Sequence, residues 1–363
     1  MMRHQLLSVL GGIVWLCLGQ HGSLAAQLGA VEKDFSFHAN GLLLDPNRPL
    51  LYASTNSGLE IINTTTLNIV KFLPIAFPSY GMSLSADDGK LYIAGGVSNS
   101  LTVLDTVGQT FLPSVQVGSP VDAVATGLNN RLFVVDGSTF QRVDQIDASS
   151  GQIVGPPVLN DAYSGDLKTS PDHSTLYYAT YGLSPGDLYK VDVSTTTPNV
   201  LFHNAGDIGE NGQQLAISKD GSMVAYVCGY GDGGYQIPNF LTQGMTLKNI
   251  FPTGAYPNAL AFSPDGKLAY ALHSVYPTAV DVYDTATSAR VGQFDAADSG
   301  SNMIVDNTGQ HLFVSFDGVY HGNSDLIAYG TGVVVPEPSA LVLGFAALAG
   351  LGLVTLRKSY PQV

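Results

Sequence analysis

Carboxylate and amide side chains recur just before short apolar runs, and their types and spacing could do chemistry. At or just before related positions in six of seven similar segments the chain carries Asn40, Asp122, Asp166, Glu210, Asn211, Gln213, Asn258 and Asn302. Oxygen ligands of this kind suit Ca²⁺ or another hard cation, and they also suit sugar hydroxyl groups. The alternative is structural, because turns before strands favour Asn, Asp, Gly and Ser in any case. The set predicts a ligand-binding rim, and Ca²⁺ is the one cofactor that it suggests.

A second candidate is the glycine-rich segment CGYGDGGYQIPNF, residues 228–240. Tyr230, Asp232 and Tyr235 distinguish it from the related segments. Long loops on a rigid scaffold often carry binding function, and aromatic rings can stack on sugar rings. The alternative is a flexible insertion whose tyrosines pack on the protein. The segment lacks the Gly-Lys-Ser/Thr sequence of a phosphate-binding loop.

The histidines show no metal-ligand spacing such as H-x-H or HExxH. His203 and Glu210 flank the stretch HNAGDIGEN, and with Asp166 they could form an acid–base or metal group. Scattered exposed histidines are the alternative. Cys228 has no basic neighbours to lower its pKa, and no Gly-x-Ser-x-Gly elbow is present. We therefore predict no catalytic residue.

Seven copies of one pattern define the elements that must position these residues. Each copy has a turn, often Asp-Gly, followed by an apolar-aromatic run, as in SPDGKLAYALH. One apolar position recurs every 40 to 48 residues, at Leu51, Leu91, Leu132, Leu176, Val224, Leu268 and Leu312. Strand-like runs flank each turn, so the chain is predicted to be all-β. The period predicts a seven-bladed β-propeller of four-stranded antiparallel blades over residues 27–332, with the rim at the channel mouth.

The seventh copy ends at DLIAYG, before an outer strand. The segment LGAVEKDFSFHANG near the start of the chain has the pattern of an outer strand and the approach to an inner one. We therefore predict that residues 31–37 complete blade seven. Closure by the two ends would remove an exposed sheet edge.

Charge limits the partners of the predicted propeller. Only 12% of the residues are charged, and outside the two terminal segments 12 Lys and Arg face 28 Asp and Glu. Phosphate contacts need clustered Lys and Arg, so nucleic acid is excluded as a partner. Cations, cationic surfaces or neutral glycans remain compatible. Removal of a leader containing Cys17 leaves Cys228 alone, so no internal disulfide is expected.

Both ends of the chain carry targeting patterns. Residues 1–26 have a basic start, an apolar core and small residues before a cleavage point, which is typical of a secretory signal peptide. Residues 339–356 carry no charge and are long enough for a transmembrane helix. The basic pair Arg357 and Lys358 follows, and basic flanks stay cytoplasmic. We expect an exported body with its tail tip inside.

Pro336, Glu337 and Pro338 stand directly before the apolar span. Together with the span and the basic pair, residues 335–358 resemble the PEP-CTERM sorting signal. The resemblance implies a Gram-negative bacterium that makes exopolysaccharide, recognition by an exosortase, and release to the envelope or attachment there. Five further residues follow the basic pair, which departs from the usual pattern. A plain single-pass anchor is the alternative for the tail, residues 333–363.

The phrases VGSPVDAVATG, TGAYPNALAFSPDGKLAYAL and VDVYDTATSARV resemble YVTN-type β-propeller repeats. The resemblance spans roughly residues 31–330 and implies the fold. Families with this repeat include surface and matrix proteins, lactonase-like hydrolases and electron-transfer enzymes, so function has to be argued from sites.

Two functions follow from these patterns. We expect an envelope- or matrix-associated binding module, transiently anchored in the inner membrane and processed by an exosortase, whose partner is a polysaccharide, a cation or an envelope protein. The alternative is a periplasmic or secreted lactonase-like hydrolase that uses Glu210, Asp166 and His203 around Ca²⁺ or Zn²⁺. Recurring tryptophans would be expected of a quinone-dependent dehydrogenase, and the only Trp is Trp15 in the signal peptide.

Overall fold

A computed structural model describes residues 27–136, 141–204, 210–230, 235–275 and 277–333. The predicted signal peptide, the Pro-Glu-Pro sorting signal and the predicted transmembrane helix lie outside these residues. Within the described ranges, no helix is long and apolar enough to cross a membrane.

The described chain folds into seven four-stranded sheets, as the repeat predicted. The first strand in the chain is β1 (Val31–Asp34), which belongs to the last blade. Blade one contains β2 (Gly41–Leu44), β3 (Leu50–Ser54), β4 (Gly58–Asn63) and β5 (Asn68–Pro74). Blade two contains β6 (Met82–Leu84), β7 (Lys90–Ile93), β8 (Ser100–Asp105) and β9 (Thr110–Gln116). Blade three contains β10 (Val121–Thr126), β11 (Arg131–Asp136), β12 (Gln141–Asp147) and β13 (Leu159–Ala162).

The remaining blades follow the same order. Blade four contains β14 (Gly165–Thr169), β15 (Thr175–Thr180), β16 (Leu188–Asp192) and β17 (Asn199–His203). Blade five contains β18 (Glu210–Ile217), β19 (Met223–Tyr230), β20 (Gln236–Leu241) and β21 (Thr246–Pro252), with a 3₁₀ turn at Gln243–Met245. Blade six contains β22 (Pro257–Phe262), β23 (Leu268–His273), β24 (Ala279–Asp284) and β25 (Arg290–Asp295). Blade seven contains β26 (Gly300–Val305), β27 (His311–Phe316), β28 (Leu326–Gly330) and β1.

The repeat alignment was wrong by one residue in blade six. Leu51 pairs with Leu44 across the first turn of blade one, and the other blades keep this register. In blade six Ala269, rather than Leu268, pairs with the equivalent Phe262. Two consecutive apolar residues after the Asp-Gly turn made both positions plausible from the sequence.

Blade seven is closed by the N-terminal strand, which confirms that prediction. Strand β1 pairs antiparallel with β28, with Val31 opposite Tyr329 and Asp34 opposite Ile327. The strand ends at Asp34, three residues before the predicted boundary. Phe37 continues the contact through its carbonyl oxygen, which accepts the Leu326 N–H at 2.7 Å.

Apolar side chains pack between neighbouring blades rather than inside a single blade. Among the described residues they form seven clusters, each joining two adjacent blades. Blades six and seven, for example, meet through Tyr270 and Val280 on one side and Leu312 and Tyr329 on the other. The alternation of apolar residues along each strand places one set towards each neighbouring blade.

The antiparallel order gives the ring two distinct faces. We call "mouth face" the side on which inner strands begin and second strands end: 35–40, 55–57, 75–81, 94–99, 117–120, 163–164, 181–187, 253–256, 274–275, 277–278, 296–299 and 317–325. We call "turn face" the opposite side: 45–49, 64–67, 85–89, 106–109, 127–130, 148–158, 170–174, 193–198, 218–222, 242–245, 263–267, 285–289 and 306–310. The predicted rim lies at the mouth-face ends of the inner strands.

Candidate binding face

Part of the predicted rim joins neighbouring blades. Asp166 Oδ2 on β14 accepts the backbone N–H of Leu215 on β18 at 2.9 Å. Asn302 Nδ2 on β26 donates to the carbonyl oxygen of Asn40 at 3.0 Å, which links blade seven to blade one. Gln214 Oε1, in the position equivalent to Asp166, accepts the Leu260 N–H of blade six at 3.2 Å. Asp166 and Asn302 therefore make contacts between blades, and their assignment to a ligand-binding rim stays a prediction.

In blades one and two, glycine occupies the position equivalent to Asp166. A Cβ at Gly41 would lie 2.4 Å from the carbonyl oxygen of Tyr80. A Cβ at Gly81 would lie 2.9 Å from the Cα of Ala123. Backbone segments of adjacent blades thus approach each other directly at this position, where blades four, five and seven use polar side chains.

The remaining rim residues are half-buried and partly occupied by local contacts. Asn40 Nδ2 donates to Asn56 Oδ1 at 3.0 Å, and Gln213 Nε2 donates to the Asn211 carbonyl oxygen at 3.0 Å. The Asn211 N–H donates to Ser184 Oγ at 2.9 Å, with the Asn211 backbone at a φ of 51°. Asp122 and Asn258 are also half-buried at the starts of their inner strands.

The rim contains a cation that the sequence reading overlooked. Lys168 Nζ lies 3.5 Å from Asp166 Oδ2. Residues two apart on a strand point to the same side, so Lys168 shares the inner face of β14 with Asp166. Lys168 thus places one positive charge beside the carboxylate of Asp166 in blade four.

In the glycine-rich segment 228–240, the structure describes the side chains of residues 228 and 235–240. Asp232 and the side chains of Glu210 and Tyr230 lie outside the described structure. The backbones of Glu210 and Tyr230 are described, and they pair with each other in β18 and β19. Tyr235 is described: its ring lies 5.1 Å from that of Tyr256, with the two planes at 47°. The prediction for Tyr230 and Asp232 stays a prediction.

The structure separates His203 from Asp166, so this part of the proposed hydrolase group was wrong. His203 lies on β17, the outermost strand of blade four, whereas Asp166 lies on the innermost strand β14. Three strand spacings of about 4.8 Å put them about 14 Å apart. His203 Nε2 instead lies 3.2 Å from Asp187 Oδ1, and its ring stacks on Tyr189.

No group of three or more His, Cys, Asp or Glu residues that could hold a metal ion occurs within the described ranges. The side chains of Glu210 and Asp232 are not part of them, so the expectation of Ca²⁺ stays a prediction. Cys228 is buried, and burial raises the pKa of its thiol well above the usual range. A thiol that stays protonated is a poor nucleophile.

Sequence reasoning missed Asp298, which organises the largest mouth-face loop. Its carboxylate has no exposed surface and accepts the backbone N–H groups of Ser299, Tyr320, His321 and Asn323 at 2.7–3.2 Å. Burial alone would raise the pKa of Asp298, but these four donors outweigh it and lower the pKa. The carboxylate therefore stays ionised and holds residues 317–325.

Asp317, the first residue of this loop, has a pKa that is shifted in the opposite direction. Its side chain is exposed to solvent, yet surrounding protein desolvates it and raises the pKa of the carboxyl group. A hydrogen bond from Ser301 and the charge of nearby His38 lower that pKa in part. A group that is both solvent-exposed and surrounded by protein fits a position facing into the channel mouth.

Exposed aromatic side chains mark the mouth face. Tyr80, Tyr181, Tyr256 and Tyr320 are each between 43% and 51% exposed, and they come from four different blades. None of the mouth-face segments contains Lys or Arg. The two basic residues nearby lie within strands and beside carboxylates. Arg142 Nε is 2.9 Å from Asp144 Oδ1, and Lys168 Nζ is 3.5 Å from Asp166 Oδ2. The face thus combines aromatic surface with hydrogen-bonding groups and little positive charge.

The turn face is built from one repeated turn whose polar groups bond to each other. In four blades a Ser hydroxyl donates to the Asp two residues on at 2.5–2.7 Å: Ser85–Asp87, Ser170–Asp172, Ser218–Asp220 and Ser263–Asp265. The same hydroxyl accepts the N–H five residues on, as at Leu268 N to Ser263 Oγ, 2.9 Å. These serine hydroxyls lower the pKa of all four aspartates.

A cleft of about 260 Å³ opens on the turn face between blades two and three. Its lining includes Ser85, Tyr92, Thr126 and Arg131. The Arg131 guanidinium is committed to structure, because Nε donates to the Leu128 carbonyl oxygen at 3.2 Å and Nη1 to Gln145 Oε1 at 3.1 Å. The Arg131 side chain is therefore not available to bind an anion in this cleft.

The architecture defines the chain as a seven-bladed β-propeller. No protein-family model and no curated protein matches it. Solved structures with the same architecture include hydrazine synthase of Kuenenia stuttgartiensis, with 15% identity and a TM-score of 0.64 over 84% of this chain and 99% of that chain. The Cps50 (Swd1) β-propeller domain of Myceliophteria thermophila has 11% identity and a TM-score of 0.68 over 83% of this chain and 99% of that one.

A chain of a mitotic checkpoint complex is similar at 12% identity and a TM-score of 0.64, over 91% of this chain and 98% of that chain. At such identities the likeness shows the fold alone. An enzyme and an assembly component share it, so function rests on the chain's own surfaces.

Proposed function

We propose that the protein is an exported binding module of the cell envelope or extracellular matrix, and that it holds an uncharged polysaccharide on its mouth face. The observation that carries the proposal is the contrast between the faces. Turn-face carboxylates and hydroxyls bond to each other, whereas the mouth face presents exposed tyrosines on segments without Lys or Arg. Tyrosine combines an apolar ring with a hydroxyl group, which suits sugars.

Export and sorting are part of the same proposal. They rest on the signal-peptide pattern of residues 1–26 and on the resemblance of residues 335–358 to a PEP-CTERM signal processed by an exosortase. The resemblance of the body to YVTN-type repeats agrees with a surface or matrix protein. No catalytic step is assigned, because His203 lies on the outer strand of its blade, away from Asp166.

The binding proposal is tested by affinity electrophoresis of the full chain in gels that contain dextran, hydroxyethylcellulose, galactomannan or alginate. Retardation by at least one of the three neutral polymers and none by the anionic alginate is expected, because like charges repel. Free migration in all four gels would overturn the binding proposal. Capture of an envelope protein from the host under those conditions would favour a protein partner.

Sorting is tested independently by the intact mass of the protein recovered from each cell fraction of its host. A species that ends near Pro336, found at the surface or in the matrix, is expected. A species that retains Lys358 in the inner membrane would indicate a tethered periplasmic propeller and would overturn the sorting proposal.

A further inference from the structure

The cleft on the turn face between blades two and three lies beside a turn that departs from the repeat. Among the seven described turns, paired strand ends enclose six residues in six blades, as at 85–90 in blade two, but only five in blade three, 127–131. Gly127 stands where blades two, four, five and six carry the turn serine. Asn129 and Asn130 close the shorter turn at φ values of 57° and 58°. A shorter turn covers less of the seam between the blades, and the cleft of about 260 Å³ opens there.

Tyr92 brings a buried hydroxyl group to this cleft. It lines the cleft although its side chain is only 2% exposed. The equivalent Tyr52 of blade one donates to Asp45 Oδ2 at 3.1 Å, whereas within the described ranges the Tyr92 hydroxyl has no hydrogen-bonding partner. Burial, and then the charges of Asp87 and Asp147, raise the pKa of Tyr92, so the hydroxyl stays protonated. Buried hydroxyl groups nearly always have a partner, which here has to come from water or a ligand in the cleft.

Two carboxylates near this hydroxyl give the cleft a negative charge. Asp87 lines the cleft, and its Oδ1 accepts the Ser85 hydroxyl at 2.5 Å and the Gly89 N–H at 3.1 Å. These bonds lower the pKa of Asp87, and because they use Oδ1, Oδ2 can accept a donor from the cleft. Hydrogen bonds from the Ser150 backbone and hydroxyl lower the pKa of Asp147 in the same way. Both carboxylates are therefore ionised near pH 7.

The basic residue in the lining points away from the cleft. Arg131 is only 4% exposed, and its two terminal nitrogens donate to the carbonyl oxygens of Thr195 and Val193 in blade four. The apolar part of the lining consists of Ala86, Leu132 and Ala148. Negative charge, one available hydroxyl group and apolar walls together suit an ammonium group on an aliphatic stem.

We propose that this cleft binds a primary ammonium group on an aliphatic stem, with Asp87 and Tyr92 as its hydrogen-bonding residues. The ammonium group donates to Asp87 Oδ2 and to the Tyr92 hydroxyl oxygen, while the stem packs on Leu132 and Ala148. Free polyamines and the lysine side chain of a protein both carry this group. The site lies on the face opposite to the proposed polysaccharide site and does not depend on it.

The test is a titration of the full chain, followed by ligand-detected NMR, with small probes of one stem length. Butylammonium carries the proposed group, whereas butan-1-ol and butyrate carry a hydroxyl group and a carboxylate on the same stem. We expect butylammonium to bind more tightly than butan-1-ol and butyrate not to bind, because Asp87 repels a second carboxylate. 1,4-Diaminobutane and N-acetyl-lysine amide represent the two sources, and the tighter of them identifies the natural one.

Single variants test the assigned residues. Asp87→Asn should weaken butylammonium binding about tenfold or more, the effect of losing a hydrogen bond to a charged group. Tyr92→Phe keeps the ring and should weaken binding about fivefold, the effect of one neutral hydrogen bond. Asp172→Asn is the matched control, because Asp172 accepts the Ser170 hydroxyl at 2.5 Å in the same motif but belongs to a turn of six residues. It should bind butylammonium within about twofold of wild type.

Several outcomes would overturn the site. One is the absence of binding by all three ammonium probes, and another is butan-1-ol that binds as tightly as butylammonium. Equal weakening by Asp87→Asn and Asp172→Asn would also overturn it, because the attraction would then come from the overall charge of the protein. Unchanged circular dichroism of each variant excludes misfolding as the cause of lost binding. Retardation of Asp87→Asn by neutral polysaccharide gels should equal that of wild type, which keeps this test separate from the proposed function.

Discussion

The two faces of the propeller are built by opposite rules. On the turn face one short hydrogen-bonded motif recurs in four blades, with Ser263 and Asp265 as an example. The loops of the mouth face depend on contacts of their own, as at Asp298 with its four backbone donors. Repetition distributes stability over equivalent turns, whereas unique contacts shape loops that differ from blade to blade. A propeller that binds ligands through its loops needs stable, repeated turns on one face and variable loops on the other.

Removal of the Asp298 carboxylate should have the largest effect, because one residue on the mouth face holds a whole loop. Asp298→Ala leaves up to four backbone N–H groups without their acceptor. We expect the free energy of unfolding, measured in urea, to fall by about 3 kcal/mol. Asp298→Asn, which keeps one acceptor oxygen, should lose less. A loss below about 1 kcal/mol for the alanine variant would mean that other contacts hold the loop.

A methyl group at the seam of blades two and three should rank second. The Cβ of Gly81→Ala would lie 2.9 Å from Ala123 Cα and 3.0 Å from the Asp122 carbonyl oxygen, both of them backbone atoms. We expect a loss of about 2 kcal/mol in urea unfolding, since neither strand can move without the other. Gly89→Ala on the turn face is the control, because its Cβ would approach a side-chain oxygen of Asp87 no closer than 3.3 Å. Equal losses for both variants would remove this contrast between the faces.

The closure strand should respond to pH through His311 on the turn face. Burial lowers the pKa of His311, but Asp306 at 2.8 Å and Glu32 at 2.9 Å outweigh burial and raise it above 6.5. The stabilisation is therefore complete below about pH 6.5 and is lost as pH rises through the folded-state pKa. We expect the unfolding free energy, measured in urea, to decrease over that range.

Glu32→Gln tests the assignment of this pH dependence, because it removes one of the two carboxylates beside His311 and keeps the side-chain size. The slope of stability against pH above 6.5 should decrease in this variant. An unchanged slope would place the titrating group elsewhere.

A single turn-face motif should matter least. Ser263→Ala removes the hydroxyl that bonds Asp265 and the Leu268 N–H. We expect the free energy of unfolding to fall by about 1 kcal/mol, the usual net contribution of one hydrogen bond. Ser170→Ala in blade four should cost the same, and the double variant should show the sum, because the two turns share no partner. A clear departure from additivity would show that the turns do not act independently.

The architecture was accessible from the sequence because its determinants are local. Each turn and its flanking apolar runs lie within about a dozen residues, and seven copies reinforce the pattern. Closure of blade seven was predictable because the segment at 31–37 resembles the outer strand that the seventh copy lacks. Only the register of Leu268 was wrong, where two apolar residues compete for one position.

The roles of the rim residues were harder to predict because their partners are remote in sequence. Asp166 bonds to Leu215, 49 residues away in the next blade, and the choice between ligand and structural contact depends on that neighbour. The grouping of His203 with Asp166 was wrong for a different reason. The stretch from His203 to Glu210 connects an outer strand with the next inner strand, so residues close in sequence lie at opposite edges of their sheets. The exposed tyrosines carried a usable signal, since all four lie in segments between strands.

Closure of blade seven also brings the two ends of the described chain together. The N–H of Gly29 donates to the Gly330 carbonyl oxygen at 2.8 Å, and the Gly330 N–H donates to the Ala30 carbonyl oxygen at 2.9 Å. The first and last residues of the described chain therefore lie side by side at the edge of the turn face. Any tether that continues from residue 333 begins on that side. Residue 333 therefore lies on the turn face, and the exposed tyrosines lie on the opposite, mouth face.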